Sequence, residues 1–193
     1  FGATVTTLTM VSVKDRGADA ALTTDDITYM GVALDSFDGQ LIGLESLLVF
    51  NAYDVDALLN KAGHGEGVTV PAKLDWNDFS AAYTGMNIDA ELTALNTLMT
   101  GQVLDENVDL KIKGAVALDV LSGVLVAKSE FDIALGQVQS ALLPSGASAD
   151  ADVMTLTLSG AQIFVGVGGS LSGLGGVYAD VNVVNGTLGF GAT

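Results

Sequence analysis

The stretch Val108-Asp109-Leu110-Lys111-Ile112-Lys113-Gly114-Ala115-Val116-Ala117-Leu118-Asp119-Val120 decides the fold class. Val108, Leu110, Ile112, Gly114, Val116, Leu118 and Val120 point one way, and Asp109, Lys111, Lys113, Ala115, Ala117 and Asp119 the other. Strict period-two alternation is the pattern of a half-buried antiparallel strand, because successive side chains leave opposite faces of a pleated chain. Leu121-Ser122-Gly123 then reads as a short turn that lets Val124 to Val138 run back alongside. In that return strand the inward set changes phase near Lys128, from Val124 and Val126 to Phe131, Ile133 and Leu135, which predicts a β-bulge.

The pattern extends outward in both directions. Towards the C-terminus, Pro144 to Asp152 reads as a polar loop and Val153 to Leu171 as one long strand or two. Ser172-Gly173-Leu174-Gly175-Gly176 turns into Val177 to Val184, and Asn185-Gly186 predicts a hairpin before Thr187 to Phe190. Towards the N-terminus, Val5 to Val13 and Ile27 to Leu34 are strands, the second closed by a turn at Asp35-Ser36-Phe37-Asp38-Gly39. Leu41 to Phe50 is apolar enough to be buried on both faces. Ala52 to Lys61 reads as strand or short helix, and Ala62 to Gly67 as an exposed loop around His64. One helix is expected around 87–99: Ile88, Leu92, Leu95, Leu98 and Met99 form a stripe, Asn87 caps it and Gly101 stops it. The expected fold is all-β, mainly antiparallel with long strands. An elongated β-sandwich carrying that helix is the first choice, and a β-solenoid the alternative.

Composition narrows the function. The 193 residues hold 7 Lys plus Arg against 23 Asp plus Glu, a formal net charge of −16, so clustered cations for nucleic acid are lacking. The absence of cysteine removes disulfides and thiolate chemistry, and the acidic, glycine-rich composition suggests an extracellular or cell-surface setting. Val153 to Ala179 carries no charge, yet its glycines, hydroxyl residues and strand alternation argue against a membrane-spanning helix. With 6% aromatics there is little to build the two girdles of a membrane barrel, so no membrane span is expected.

No catalytic motif is present, and the chain is expected not to be an enzyme. His64 is the one histidine, set in Gly63-His64-Gly65-Glu66, and there is no G-x-S-x-G turn elsewhere. Gly166-Val167-Gly168-Gly169-Ser170 lacks the lysine and following helix of a phosphate loop. Trp76 reads as a packing anchor. Close aspartate pairs are the better lead, since loop carboxylates are hard ligands suited to Ca²⁺. Asp35, Asp38, Asp54 and Asp56 are the first candidates, with Asp25 and Asp26 next, against the plain reading of solvated turns.

The ends carry a further signal. The chain opens Phe1-Gly2-Ala3-Thr4 and closes Phe190-Gly191-Ala192-Thr193. Residues 1–193 therefore read as a single β-rich module, one 189-residue period of a tandem array whose next copy starts at Phe190. Leu44 to Asn60, Leu74-Asp75-Trp76, Val108 to Leu118, Gly123 to Ile133, Leu156 to Gly160 and Phe164 to Gly169, taken in order, resemble the long repeats of giant bacterial secreted or cell-surface proteins of the adhesin type. That resemblance implies a β-rich module in an extended extracellular array, with an adhesive or scaffold role and no catalytic residues. The expected partners are copies of the module or neighbouring repeats, with surface glycans as the alternative.

Overall fold

The computed structural model describes residues 2–17, 25–44, 46–64, 71–77, 89–97, 104–138, 151–174, 177–183 and 190–191. Six long strands, β1 (Gly2–Asp15), β2 (Ile27–Gln40), β3 (Leu48–His64), β4 (Val108–Val120), β5 (Leu125–Val138) and β6 (Ala151–Val165), follow one another as an antiparallel meander. One helix, α1 (Asp89–Thr97), interrupts it between β3 and β4. A hairpin of β7 (Gly169–Leu174) and β8 (Val177–Val183) follows, and β9 (Phe190–Gly191) returns to pair with β6. The sheet order is β1-β2-β3-β4-β5-β6-β9, with β7-β8 as a separate two-stranded sheet. The fold is all-β and antiparallel. Its second layer is not a sheet of equal size: among the described residues it consists of α1, the segments around Trp76 and Leu104, and the β7–β8 hairpin.

Alternation gives the large sheet two different faces. On the inner face, Ala33 and Leu58 meet Trp76, Leu95 of α1, Leu104 and Val108, with Val11, Val13, Tyr29 and Leu74 around them. Gly31 is required here, because a Cβ would stand 2.9 Å from Cε2 of Trp76. Further along the same face, Tyr53, Ala115 and Ala117 pack against Leu171 of β7. The hairpin is fixed from below by the β4–β5 turn, where Gly169 N–H donates to Gly123 O at 3.0 Å and Gly166 N–H to Val124 O at 2.9 Å. That turn runs through left-handed backbone at Leu121, Ser122 and Gly123, whose own N–H donates to Asp119 Oδ1 at 2.6 Å.

Several local expectations are revised. Asp35 to Gly39 is not a turn, because β2 continues through it to Gln40 with shifts of register against β3 on either side of Phe37. Leu41 to Phe50 is not one buried strand. Gly43 at φ +95° breaks it, and Ile42, Leu44 and Leu47 lie in an exposed connection closed by Leu47 N–H to Leu44 O. Ala52 to Lys61 is strand, and β3 runs on to His64, so Ala62 to His64 is not loop. The bulge expected near Lys128 exists in the β5–β6 ladder, but its extra residue belongs to β6. Pairing of β5 with β4 is unbroken there, so Val126 and Phe131 face opposite sides. The expected cap Asn87, the loop at 65–67, most of the loop from Pro144 and the Asn185-Gly186 turn lie outside the described residues.

Candidate functional site

The four first-choice aspartates do come together, at a paired irregularity where β2 crosses β3. Ser36 and Asp54 both take left-handed backbone, at φ 49° and 52°, which non-glycine residues adopt only when something holds them there. The holding groups are the carboxylates of the opposite strand. Asp56 Oδ1 accepts from Ser36 N–H at 2.9 Å, and Asp38 Oδ1 accepts from Asp54 N–H at 2.9 Å. Asp35 Oδ1 accepts from the Ser36 hydroxyl at 3.3 Å, and the second oxygen of Asp56 faces Lys113 Nζ at 3.6 Å. These are structural duties: each strand's aspartate satisfies the backbone of the other's strained residue.

The second-choice pair sits elsewhere, where β1 leads into β2. Asp26 is ion-paired with Lys14 at 2.5 Å, while Asp25 Oδ1 is buried with no hydrogen-bond partner among the described residues. Extended chain separates Asp26 from Asp35 by roughly 30 Å at 3.3 Å per residue, so the two groups of aspartates cannot share an ion. No group of three or more His, Asp or Glu side chains is placed to hold a metal ion among the described residues.

Beside the irregularity, the inner face opens into a cleft of about 590 Å³. Asp54, Asp56, Lys113, Lys128, Glu130 and Asp132 line it, with Tyr53 and Ser159. Ser159 Oγ donates to Glu130 Oε2 at 3.3 Å, but the chain's one histidine is at the exposed end of β3 and does not line the cleft. A serine–histidine pair is therefore excluded here. The cleft is a mixed-charge surface between strands, legible only as the polar phase of β4 and β5.

Aromatic side chains for stacking on sugars are not gathered on an exposed surface among the described residues. Trp76 and Tyr53 are buried and Tyr29 packs against the core. The side chains of Tyr83 and Tyr178 lie outside the described set.

The opposite, outer face of the sheet is apolar along its middle and turns polar at one end, at Ser12–Met30–Lys61 and Gln137–Asp152. Two rungs cross all six long strands there, Leu8–Leu34–Ala57–Ile112–Ile133–Leu156 and Met10–Val32–Leu59–Leu110–Leu135–Met154. Every residue in them is apolar. Two shorter rungs continue the surface towards the other end, Phe50–Leu118–Ala127–Ile163 and Leu48–Val120–Leu125–Val165. Exposure is greatest at the margins: 65% for both Leu8 and Met10 on β1, and 69%, 57% and 60% for Met154, Leu156 and Leu158 on β6. No helix of the described residues is long and apolar enough to cross a membrane.

No protein-family model matches the chain, and neither a curated protein nor a solved structure matches it.

Proposed function

We propose that this chain is a structural module that works by self-association, as a building unit of an extended extracellular or cell-surface array. The outer face carries this reading. The four apolar rungs hold 20 outward residues, six in each long rung and four in each short one, and at about 4.8 Å between strands and 6.6 Å between residues of one face they cover roughly 600 Å². The largest apolar patch of a soluble monomer is typically about 300–600 Å² and often functional, so this one stands at the top of that range, and a standard interface of about 800 Å² on each partner would add a polar rim to it.

The occupant is the same face of a second copy. A two-fold contact is self-complementary, and two twisted sheets pack about 10 Å apart with interdigitated side chains. The four apolar rungs carry no charge, and Lys61 and Asp152 stand at their rim, where such a contact leaves them in water. Lipid is the competing occupant, and the surface lacks its usual markers: Phe50 and Phe131 are aromatic, but no Trp or Tyr stands on the rungs. The acidic composition and the adhesin-like order of segments support the extracellular setting. They also support a scaffold role in place of a catalytic one.

Sedimentation velocity over about 1–100 µM tests the proposal, a range that brackets ordinary interface affinities. Dimers or larger species that strengthen as salt screens the acidic repulsion are expected. A monomer at every concentration and salt overturns it, and so does flotation with phospholipid vesicles without self-association.

A further inference from the structure

The ladders of the large sheet close on the chain's own repeated tetrapeptide. Starting from Gly2, the paired positions run Gly2–Gln40–Asn51–Ala117–Lys128–Gln162–Gly191. Gly2 and Gly191 are the second residues of the two Phe-Gly-Ala-Thr segments, 189 positions apart. The rung therefore leaves one copy of the tetrapeptide and arrives, six strand pairings later, at the equivalent residue of the other.

We infer that β9 marks the seat of a β1 strand from a following copy, which pairs antiparallel along the rest of β6 in the register that β9 sets, with no net slip. This rests on the self-association reading and names the partner strand and its register. Carrying the observed pairs Phe190–Ile163 and Gly191–Gln162 along β6 sets incoming Leu8 against Leu156 and incoming Met10 against Met154. Those two rungs already begin at Leu8 and Met10, so each returns to its own starting residue in the next copy. Incoming Thr7 and Thr9 fall opposite Thr157 and Thr155, polar against polar on the inner side.

The β6 bulge makes this continuation possible. From the Gly2 rung to the Leu8 rung there are 6 residues on β1 (2 to 8) and 6 on β6 (156 to 162). On β4 and β5 the same interval is only 5 residues (112 to 117 and 128 to 133). The extra residue at Gly160, held at φ +58°, restores the length and makes β6 commensurate with β1. Both edges are otherwise open. The described residues leave the far side of β1 unpaired and occupy the far side of β6 only at Gln162 and Ile163. Zero stagger also fixes the product, since closing a barrel requires shear and this register supplies none. Copies add as an open ribbon, six strands or roughly 29 Å at a time.

Cysteine pairs read the register directly, because the chain has no cysteine of its own. Full-length chains carrying Leu8→Cys are mixed with chains carrying Leu156→Cys, and Thr9→Cys chains with Thr155→Cys chains. Adjacent pairs are used because one of any two is the closer, non-hydrogen-bonded kind. Leu8→Cys mixed with Thr157→Cys is the slipped control, since a one-residue slip puts the two thiols on opposite faces. Disulfide-linked heterodimers in at least one matched mixture, about tenfold above the slipped control, are expected. Equal yields, or none from either matched mixture, overturn the inference. Self-association in the same samples without matched cross-linking sinks this register alone, whereas loss of both removes the self-association reading as well.

Discussion

Trp76 donates its indole Nε1–H to Oδ1 of Asn60 at 2.9 Å, and both side chains are buried, at 1% and 0% exposure. The amide nitrogen of the same asparagine donates to Leu74 O at 2.9 Å and Asp105 O at 2.8 Å. One side chain of β3 thus ties down both segments that flank the helical connection, and a fourth bond, Trp76 N–H to Leu104 O at 3.1 Å, joins them to each other.

Asn60→Ala should therefore be among the most damaging single changes in the chain. It strands one buried donor and two acceptors and leaves a cavity, a cost of about 3–5 kcal/mol. Trp76→Phe keeps most of the apolar burial and strands only the Asn60 oxygen, for about 1–3 kcal/mol. Urea unfolding followed by circular dichroism checks the order. A Trp76→Phe variant less stable than Asn60→Ala would mean that ring volume, not the polar hub, holds these segments.

Gly31 and Gly123 are predicted to reject alanine for different reasons. At Gly31 the backbone is ordinary strand, but the new methyl meets the Trp76 ring and Leu95, so overpacking of about 1–3 kcal/mol is expected. At Gly123 the residue has φ +92° and a Cβ would collide with the Gly169 backbone, combining backbone strain with undocking of the hairpin. Fluorescence of the single tryptophan separates them: Gly31→Ala should shift its emission, and Gly123→Ala should leave the native spectrum unchanged while lowering Tm.

The carboxylates at the β2–β3 irregularity should act as backbone caps. Asp38→Ala and Asp56→Ala each free one N–H of a left-handed residue, for about 1–2 kcal/mol apiece, with Asp56 the costlier because Lys113 also loses its neighbour. Asparagine at position 38 keeps an acceptor for Asp54 N–H and should recover most of the loss. Thermal unfolding of Asp38→Ala against Asp38→Asn in metal-free buffer is the measurement. Equal destabilisation by both would show that charge, not the accepted hydrogen bond, is what matters.

What could be read beforehand, and what could not, follows from the same physics. The pleat of β4 wrote itself into alternation from Leu110 to Val120, while Val108 crosses to the core side at a shift of register that the pattern did not show, and the helix stripe placed α1 within two residues of Asp89–Thr97. Asp35 to Gly39 misled because residues that favour turns also favour left-handed positions inside a bulged strand, and only the partner strand distinguishes the two. The aspartate cluster was legible as a cluster, but its use as reciprocal caps depends on which strand crosses which. Asn60 left a fainter trace. In Leu58-Leu59-Asn60 it stands two positions after the buried Leu58, and period two puts it on the same inner face. Its three hydrogen-bond partners come from segments 14 to 45 residues away, which no local pattern links to it. The return of the rung to the repeated tetrapeptide likewise combines six ladders.

Charging the centre of the outer face gives the last test. Ile112 and Ile133 are directly paired in the middle of the Leu8 rung and point away from the core clusters. Ile112→Lys with Ile133→Lys places two like charges in the middle of any face-to-face contact, where desolvation without a partner costs about several kcal/mol. In the single chain the same side chains are only half-buried by their neighbours, so the fold should survive with a Tm lowered by a few degrees. Sedimentation should show the double variant forming smaller species than the parent chain at the same concentration, because only the face-to-face contact is lost. The edge cross-link of Leu8→Cys with Leu156→Cys should persist in that background, since pairing of backbones along β6 does not use the face. Undiminished association of the lysine variant would place the contact on the inner face or the edges, and the outer face would then need another occupant.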